Sequence, residues 1–240
     1  MLSRATFKLQ YVSKLFPFAR AGKPPAVLPG ANALALLGNC GSTATAEDQE
    51  ATAKFISRCA KAWPRVFWVP GPKEVAGPLD AYQHMQLCSD IAAASGPSGR
   101  VVMMNQGEVH DQQRDIVFLG AGGWVPGVGV PPWHEEDILW LKERVDWWST
   151  HRPAVRIVVM THHLCSPLLA GSEPNPLEIM PQGTLNKVVP LGAASAYAWL
   201  CGAGASPVTG FLRGRQQSPP AKPLFGATNP GNGLRLALYI

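Results

Sequence analysis

Apolar residues recur along this chain with two different periods, and the alternation between the periods lays out the expected elements. Phe7 to Val12 and Ala33 to Leu37 are apolar runs of strand length separated by a proline- and glycine-rich loop. From about Glu47 to Trp63 the period lengthens: Phe55, Ile56, Cys59 and Trp63 fall three and four apart on one helical face. Thr45, three residues before Asp48, marks the start of that helix as a variant capping box. Arg65 to Val69 is the next strand, broken by Pro70-Gly71-Pro72, and Asp80 to Ala94 is a second helix with a weaker apolar face. Val101 to Met104 and Asp115 to Leu119 are strands joined by a polar turn, followed by a glycine- and proline-rich loop over 120–132.

The clearest helix runs from His134 to Thr150. Glu135, Glu136 and Asp137 lie in its first turn, where the helix dipole favours negative charge, while Lys142 and Arg144 come later. Ile138, Leu141, Val145 and Trp148 share one face and are expected to be buried. Arg156 to Met160 then forms a strand. Strand and helix patterns that alternate in this way predict an α/β fold in which helices cover a sheet.

Length and composition agree with one globular unit, although 240 residues could also make two small ones. A chain of 240 residues can bury a substantial core as a single α/β domain, and 23 prolines and 24 glycines, dispersed rather than clustered, mark long loops. Only 15% of residues are charged against 46% hydrophobic, a thin charge layer that suits a surface partly covered by other molecules. No apolar run reaches bilayer-spanning length, so no membrane span is expected. The five cysteines, Cys40, Cys59, Cys88, Cys165 and Cys201, are odd in number and lack CxxC spacing, which argues for reduced, partly buried thiols rather than a disulfide framework or zinc ribbon.

The charge is also uneven. Arg4, Lys8, Lys14, Arg20 and Lys23 all precede the first acidic residue, Glu47. An acid-free basic start of this kind resembles a mitochondrial import signal, of which residues 1–6 would be a remnant, and the favoured location is mitochondrial, otherwise cytoplasmic.

Five short segments carry the chemistry, each after an apolar run: Ser13-Lys14-Leu15-Phe16, Gly38-Asn39, Gly71-Pro72-Lys73-Glu74, Thr161-His162-His163 and Gly202-Ala203-Gly204-Ala205. Their order and spacing resemble the calcineurin-like metallophosphoesterases, whose pattern is Asp-x-His, Gly-Asp, Gly-Asn-His-Asp/Glu, a middle His and Gly-His-x-His. The resemblance extends from Phe7 to the C-terminus and implies a four-layer α/β/β/α sandwich over 1–240. In that family the motif side chains hold two metal ions about 3.5–4 Å apart that activate water and polarise a phosphoryl group.

Here the ligands are replaced. The Asp-x-His pair reads Lys14 and Phe16, the bridging Asp reads Asn39, the Asn-His pair reads Pro72 and Lys73, and the last His pair reads Ala203 and Ala205. His162 matches the middle histidine, with His163 beside it. Glu74 matches too, but the resemblance gives it the role of orienting a histidine, which is Lys73 here. A lysine ammonium has three donors and no acceptor, so Lys14 and Lys73 would add like charge where a cation needs negative ligands. One histidine or two neighbours cannot close even a three-ligand zinc site. The expectation is a vestigial pocket with no metal, no cofactor and no catalytic residues.

Two surfaces could serve contacts. Trp133, Trp140 and Trp147 are seven apart on the last helix, and either complete the core or form a stripe for a partner, since tryptophan is enriched at interface hot spots. Arg213, Arg215 and Lys222 lie on a strand and basic loop that would suit RNA phosphates, as would the net charge of +5, or would simply be solvated. The combined expectation is a non-catalytic scaffold subunit that contacts protein subunits, and RNA through its basic loops, in a larger assembly, with the mitochondrial ribosome or another organellar complex as the foremost candidate. The alternative is an enzyme with a rebuilt site, or a binder of phosphorylated ligands through Lys14 and Lys73.

Overall fold

A computed structural model describes residues 7–13, 15, 29–124, 133–163, 197–201, 210–214 and 236–239. The chain is mixed α/β. Its elements are β1 (Leu9–Val12), β2 (Ala33–Leu37), α1 (Ala46–Ala62), β3 (Val66–Val69), α2 (Ala81–Ala94), β4 (Val101–Met103), β5 (Gly107–Asp111), β6 (Ile116–Ala121), α3 (Trp133–His151), β7 (Arg156–Thr161), β8 (Tyr197–Cys201), β9 (Gly210–Gly214) and β10 (Leu236–Tyr239).

They form two sheets. One has six strands in the order β10-β9-β1-β2-β3-β4, and the other four in the order β5-β6-β7-β8. β1, β2, β3 and β4 are mutually parallel, as are β6, β7 and β8; β5 pairs antiparallel to β6, and β9 antiparallel to β1. Helices α1, α2 and α3 supply the crossovers from β2 to β3, from β3 to β4 and from β6 to β7.

Strands buried on both faces explain the continuous apolar runs. In β2 every residue is buried: Leu34 and Leu36 pack toward Phe55, Ile56 and Cys59 of α1 and Cys88 and Ala92 of α2, while Ala33, Ala35 and Leu37 join Phe118, Val158 and Met160 of the other sheet. The opposite face of β6 and β7 carries Val117, Leu119, Ile157 and Val159 against Leu141, Val145 and Trp148 of α3. These contacts fall into three buried clusters.

Local signals agree with the elements they announced. Thr45 Oγ1 accepts from the Asp48 N–H at 3.1 Å to cap α1. The second helix opens on a full capping box: Asp80 accepts from the Gln83 N–H, and Gln83 Oε1 accepts from the Asp80 N–H.

One expectation is corrected. The segment between Met104 and Asp115 is a strand, β5, rather than a polar turn, and it separates β4 and β6 into different sheets. β5 lies at a sheet edge and is only half-buried, so its polar residues need no apolar partners. Arg144 grips Glu108 through Nε at 2.6 Å and Nη2 at 3.1 Å, and Arg114 pairs Asp111 at 2.8 Å. No helix among the described residues is long and apolar enough to cross a membrane.

Candidate functional site

The C-terminal ends of β2, β3 and β7 bring three of the five motif segments together. Gly38 and Asn39 follow β2 with left-handed backbones, at φ 77 and 55. Glycine takes that conformation without cost, and asparagine is among the few other residues that tolerate it. Lys73 donates its backbone N–H to Asn39 Oδ1 at 2.9 Å. A Cβ on Gly71 would stand 2.8 Å from Asn39 N and 2.9 Å from its Oδ1, so only glycine lets the β3 loop approach this closely.

Glu74 is the centre of the cluster. It has no solvent exposure, and its carboxylate takes four backbone N–H bonds: Asn39 at 2.8 Å and Gly71 at 3.0 Å on Oε2, Cys40 at 2.7 Å and Gly41 at 3.0 Å on Oε1. Burial pushes the carboxyl above its ordinary pKa, and the four N–H bonds oppose that rise. With two donors on each oxygen, no lone pair is left for an acid proton, and the geometry is that of the carboxylate. The successive amides of 39–41 form an anion-binding nest whose anion is the chain's own glutamate. Glu74 therefore shapes the β2 loop rather than orienting the side chain at Lys73, which is exposed.

The rest of the loop is tied down equally. Thr43 Oγ1 donates to the Glu74 carbonyl at 2.6 Å and lies 2.6 Å from His84 Nδ1, which links α2 to the same turn. With its own proton committed, the hydroxyl accepts from the imidazole, so Nδ1 is the protonated nitrogen of His84. Nothing in the sequence pattern marked this connection, because Thr43 and His84 are 41 residues apart.

His162 and His163 follow β7, both buried, with ring centroids 4.6 Å apart. His162 Nδ1 donates to the Leu37 carbonyl at 2.8 Å, since a carbonyl can only accept, and a neutral ring then carries no proton on Nε2. Gly38 underlies this ring: a Cβ there would collide with His162 Nδ1 and Cγ. The backbone N–H groups of His162 and His163 both donate to the Gly122 carbonyl at 3.2 Å.

Of the anticipated pocket residues, Asn39, Pro72, Lys73, Glu74, His162 and His163 thus occupy neighbouring strand ends; Lys14, Phe16, Ala203 and Ala205 lie outside the described residues. Among the described residues no three His, Cys, Asp or Glu side chains converge as a metal-binding group. An amide at 39, an ammonium-bearing residue at 73 and a glutamate already saturated by amides do not fit a two-metal centre.

The tryptophans divide by environment. Trp133 is buried against Met85 and Trp124 and belongs to the core, Trp140 packs partly against the α3 cluster, and Trp147 is 41% exposed. Trp147 stacks on His151 at 4.7 Å, with Arg144 5.0 Å from its ring. The Arg213 side chain, Arg215 and Lys222 lie outside the described residues, as do the thiols of Cys165 and Cys201; Cys40, Cys59 and Cys88 are buried.

Asp137 departs from its expected role. Glu135 and Glu136 are exposed in the first turn of α3, but Asp137 is buried and accepts from Gly123 N at 2.9 Å and Gln106 Nε2 at 3.1 Å. Burial raises its pKa from 3.8 to about 6, with Glu136 adding to the rise and the bonds from Gln106, Gly123 and Gly122 working against it. The folded protein therefore binds this proton more tightly than the unfolded chain. Its stabilising contribution is complete below the ordinary aspartate value and is lost as the pH rises through about 6, about 3 kcal/mol in all. Unfolding free energies of the wild type and Asp137→Asn from urea titrations between pH 4 and 7.5 should diverge by most of this amount, the wild type losing ground as pH rises. A constant difference would refute the assignment.

No family model matches the chain, and no curated protein matches it. Among solved structures it is similar to the phosphopantetheinyl hydrolase of Mycobacterium tuberculosis, with 12% sequence identity, a TM-score of 0.47, and 80% of this chain and 78% of that chain covered.

Proposed function

We propose that this chain is a catalytically inactive relative of the calcineurin-like metallophosphoesterases, built as one four-layer α/β/β/α sandwich and serving as a structural subunit of a larger assembly. The observation that carries this reading is the closure of the β2 and β3 loops upon themselves. Where the resemblance calls for a bridging carboxylate, Asn39 accepts the Lys73 N–H, and the neighbouring Glu74 carboxylate is consumed by four amides. Every lone pair of that carboxylate is spent on the fold. The order of the two sheets and the helices outside them supports the sandwich, and the buried clusters between layers support one domain.

A chain that keeps its scaffold while its ligand positions become loop fasteners is retained for its shape. The exposed Trp147 and Leu139 on α3 and the positive excess of +5 support a role in contacts with protein, and with RNA through the basic 213–222 segment. The basic, acid-free start favours an organellar assembly, the mitochondrial ribosome foremost. A second reading, binding of a phosphorylated ligand, is favoured by the exposed Lys73 beside Asn39.

Three measurements on the full chain separate these readings. Elemental analysis should find substoichiometric manganese, iron and zinc, a phosphodiester reporter should remain unhydrolysed with added metal, and tagged protein at native abundance should co-purify with a multi-subunit complex. Stoichiometric metal with turnover would overturn the proposal, as would a monomer with no companions. Saturable phosphate binding lost on Lys73→Ala would favour the second reading.

A further inference from the structure

One carboxylate connects the first turn of α3 to the strand ends that bear the histidine pair. Asp137 draws in three segments: its own helix, Gln106 in the turn between β4 and β5, and the Gly122–Gly123 backbone after β6. Gly122 passes the connection on, because its carbonyl accepts the N–H groups of both His162 and His163. Gln106 and Gly123 hold left-handed backbones, at φ 50 and 61, so the carboxylate is met by turns shaped to present donors to it.

We propose that Asp137 is a proton-operated latch that sets how tightly the backbone carrying His162 and His163 is held. As a carboxylate it is an acceptor only and takes charge-assisted bonds from amide donors, which are about twice as strong as neutral ones. On protonation one oxygen becomes a donor, the charge assistance ends, and the Gln106 amide can turn to offer its oxygen to the new O–H. The clamp on Gly122 and Gly123 slackens, and with it the carbonyl that fastens the histidine backbone. Burial lifts this carboxyl into the range near pH 6, where the exchange is accessible.

Among the described residues, few charged and titratable groups surround Asp137. Glu136 on the same helix adds negative charge, the β4–β5 turn presents the neutral Gln106, and the β6 end presents only amides. His162 and His163 stand one hydrogen bond further on and are themselves able to titrate.

The latch differs from an ordinary buried acid in the direction of its two effects. As the pH falls, relief of the buried charge favours the fold as a whole, whereas the amides at the latch become less protected. Hydrogen exchange followed by NMR, corrected for the intrinsic pH dependence of exchange, reads the second effect residue by residue. Protection at Gly122, Gly123, His162 and His163 should fall about tenfold between pH 7.5 and 5 in the wild type. In Asp137→Asn it should be low and flat across the same range. Unchanged protection in the wild type would overturn the proposal; so would an equal slope in Asp137→Asn, which would assign the titration to the histidines. Should that variant not fold, carbon NMR of the wild-type Asp137 carboxyl decides: a midpoint in the ordinary aspartate range would also overturn it.

Discussion

Glu74→Gln should lower the folding free energy by about 4 kcal/mol, with the urea midpoint falling by roughly 1.5–2 M. Glutamine has nearly the size of glutamate, so packing is preserved and the effect isolates hydrogen bonding. One amide oxygen can still take two of the four N–H groups now held by the carboxylate, but the amide nitrogen is a donor set against the other two. Two buried N–H groups lose their acceptor, each at about 1–3 kcal/mol, and the charge-assisted character of the rest is lost. Glu74→Ala should cost at least as much, leaving four amides unsatisfied around a void, and against a total stability of about 5–15 kcal/mol it should leave much of the population unfolded. Equilibrium unfolding followed by tryptophan fluorescence measures both. A Glu74→Gln midpoint within about 0.3 M of the wild type would show that the amides are satisfied without the carboxylate.

Gly38→Ala should be comparably damaging, by about 3 kcal/mol or more, for two reasons that a control separates. The residue has φ 77, which costs a β-carbon about 1–2 kcal/mol, and that carbon would also meet the His162 ring from below. Gly99 has nearly the same backbone, φ 75, but a Cβ there meets nothing within 4 Å. Gly99→Ala should therefore show the backbone cost alone, and the excess at Gly38 is the price of displacing His162 from the Leu37 carbonyl. Equal midpoints for the two variants would mean that the ring moves aside freely. An imidazole NMR shift at His162 in Gly38→Ala, absent in Gly99→Ala, would identify the displaced group.

Much of the fold was legible because its strands are buried on both faces. Continuous runs such as Ala33–Leu37 and Arg156–Met160 require no knowledge of neighbours, and α1 and α3 announce themselves through apolar spacing and charges in the first turn. β5 was hidden by the opposite circumstance. An edge strand uses polar residues on its open side, and the Glu108–Arg144 pair that steadies it joins positions 36 apart. The three tryptophans share a flank by helical geometry, but the core beneath one end differs from that beneath the other, so Trp133 is enclosed while Trp147 meets solvent.

By itself the sequence determined most of the strand segments and where the helices begin, since these follow from residue type and short spacing. Tertiary structure alone decided what the motif side chains do. That Glu74 fills a nest of amides from two loops, that His162 leans on Leu37 125 residues away, and that Asp137 serves Gly123 rather than its own helix dipole are all consequences of burial and of contacts across the sheets. A carboxylate has the same pattern in a sequence whether it faces water, a cation or a ring of amides, and only the donors placed around it by folding distinguish the three.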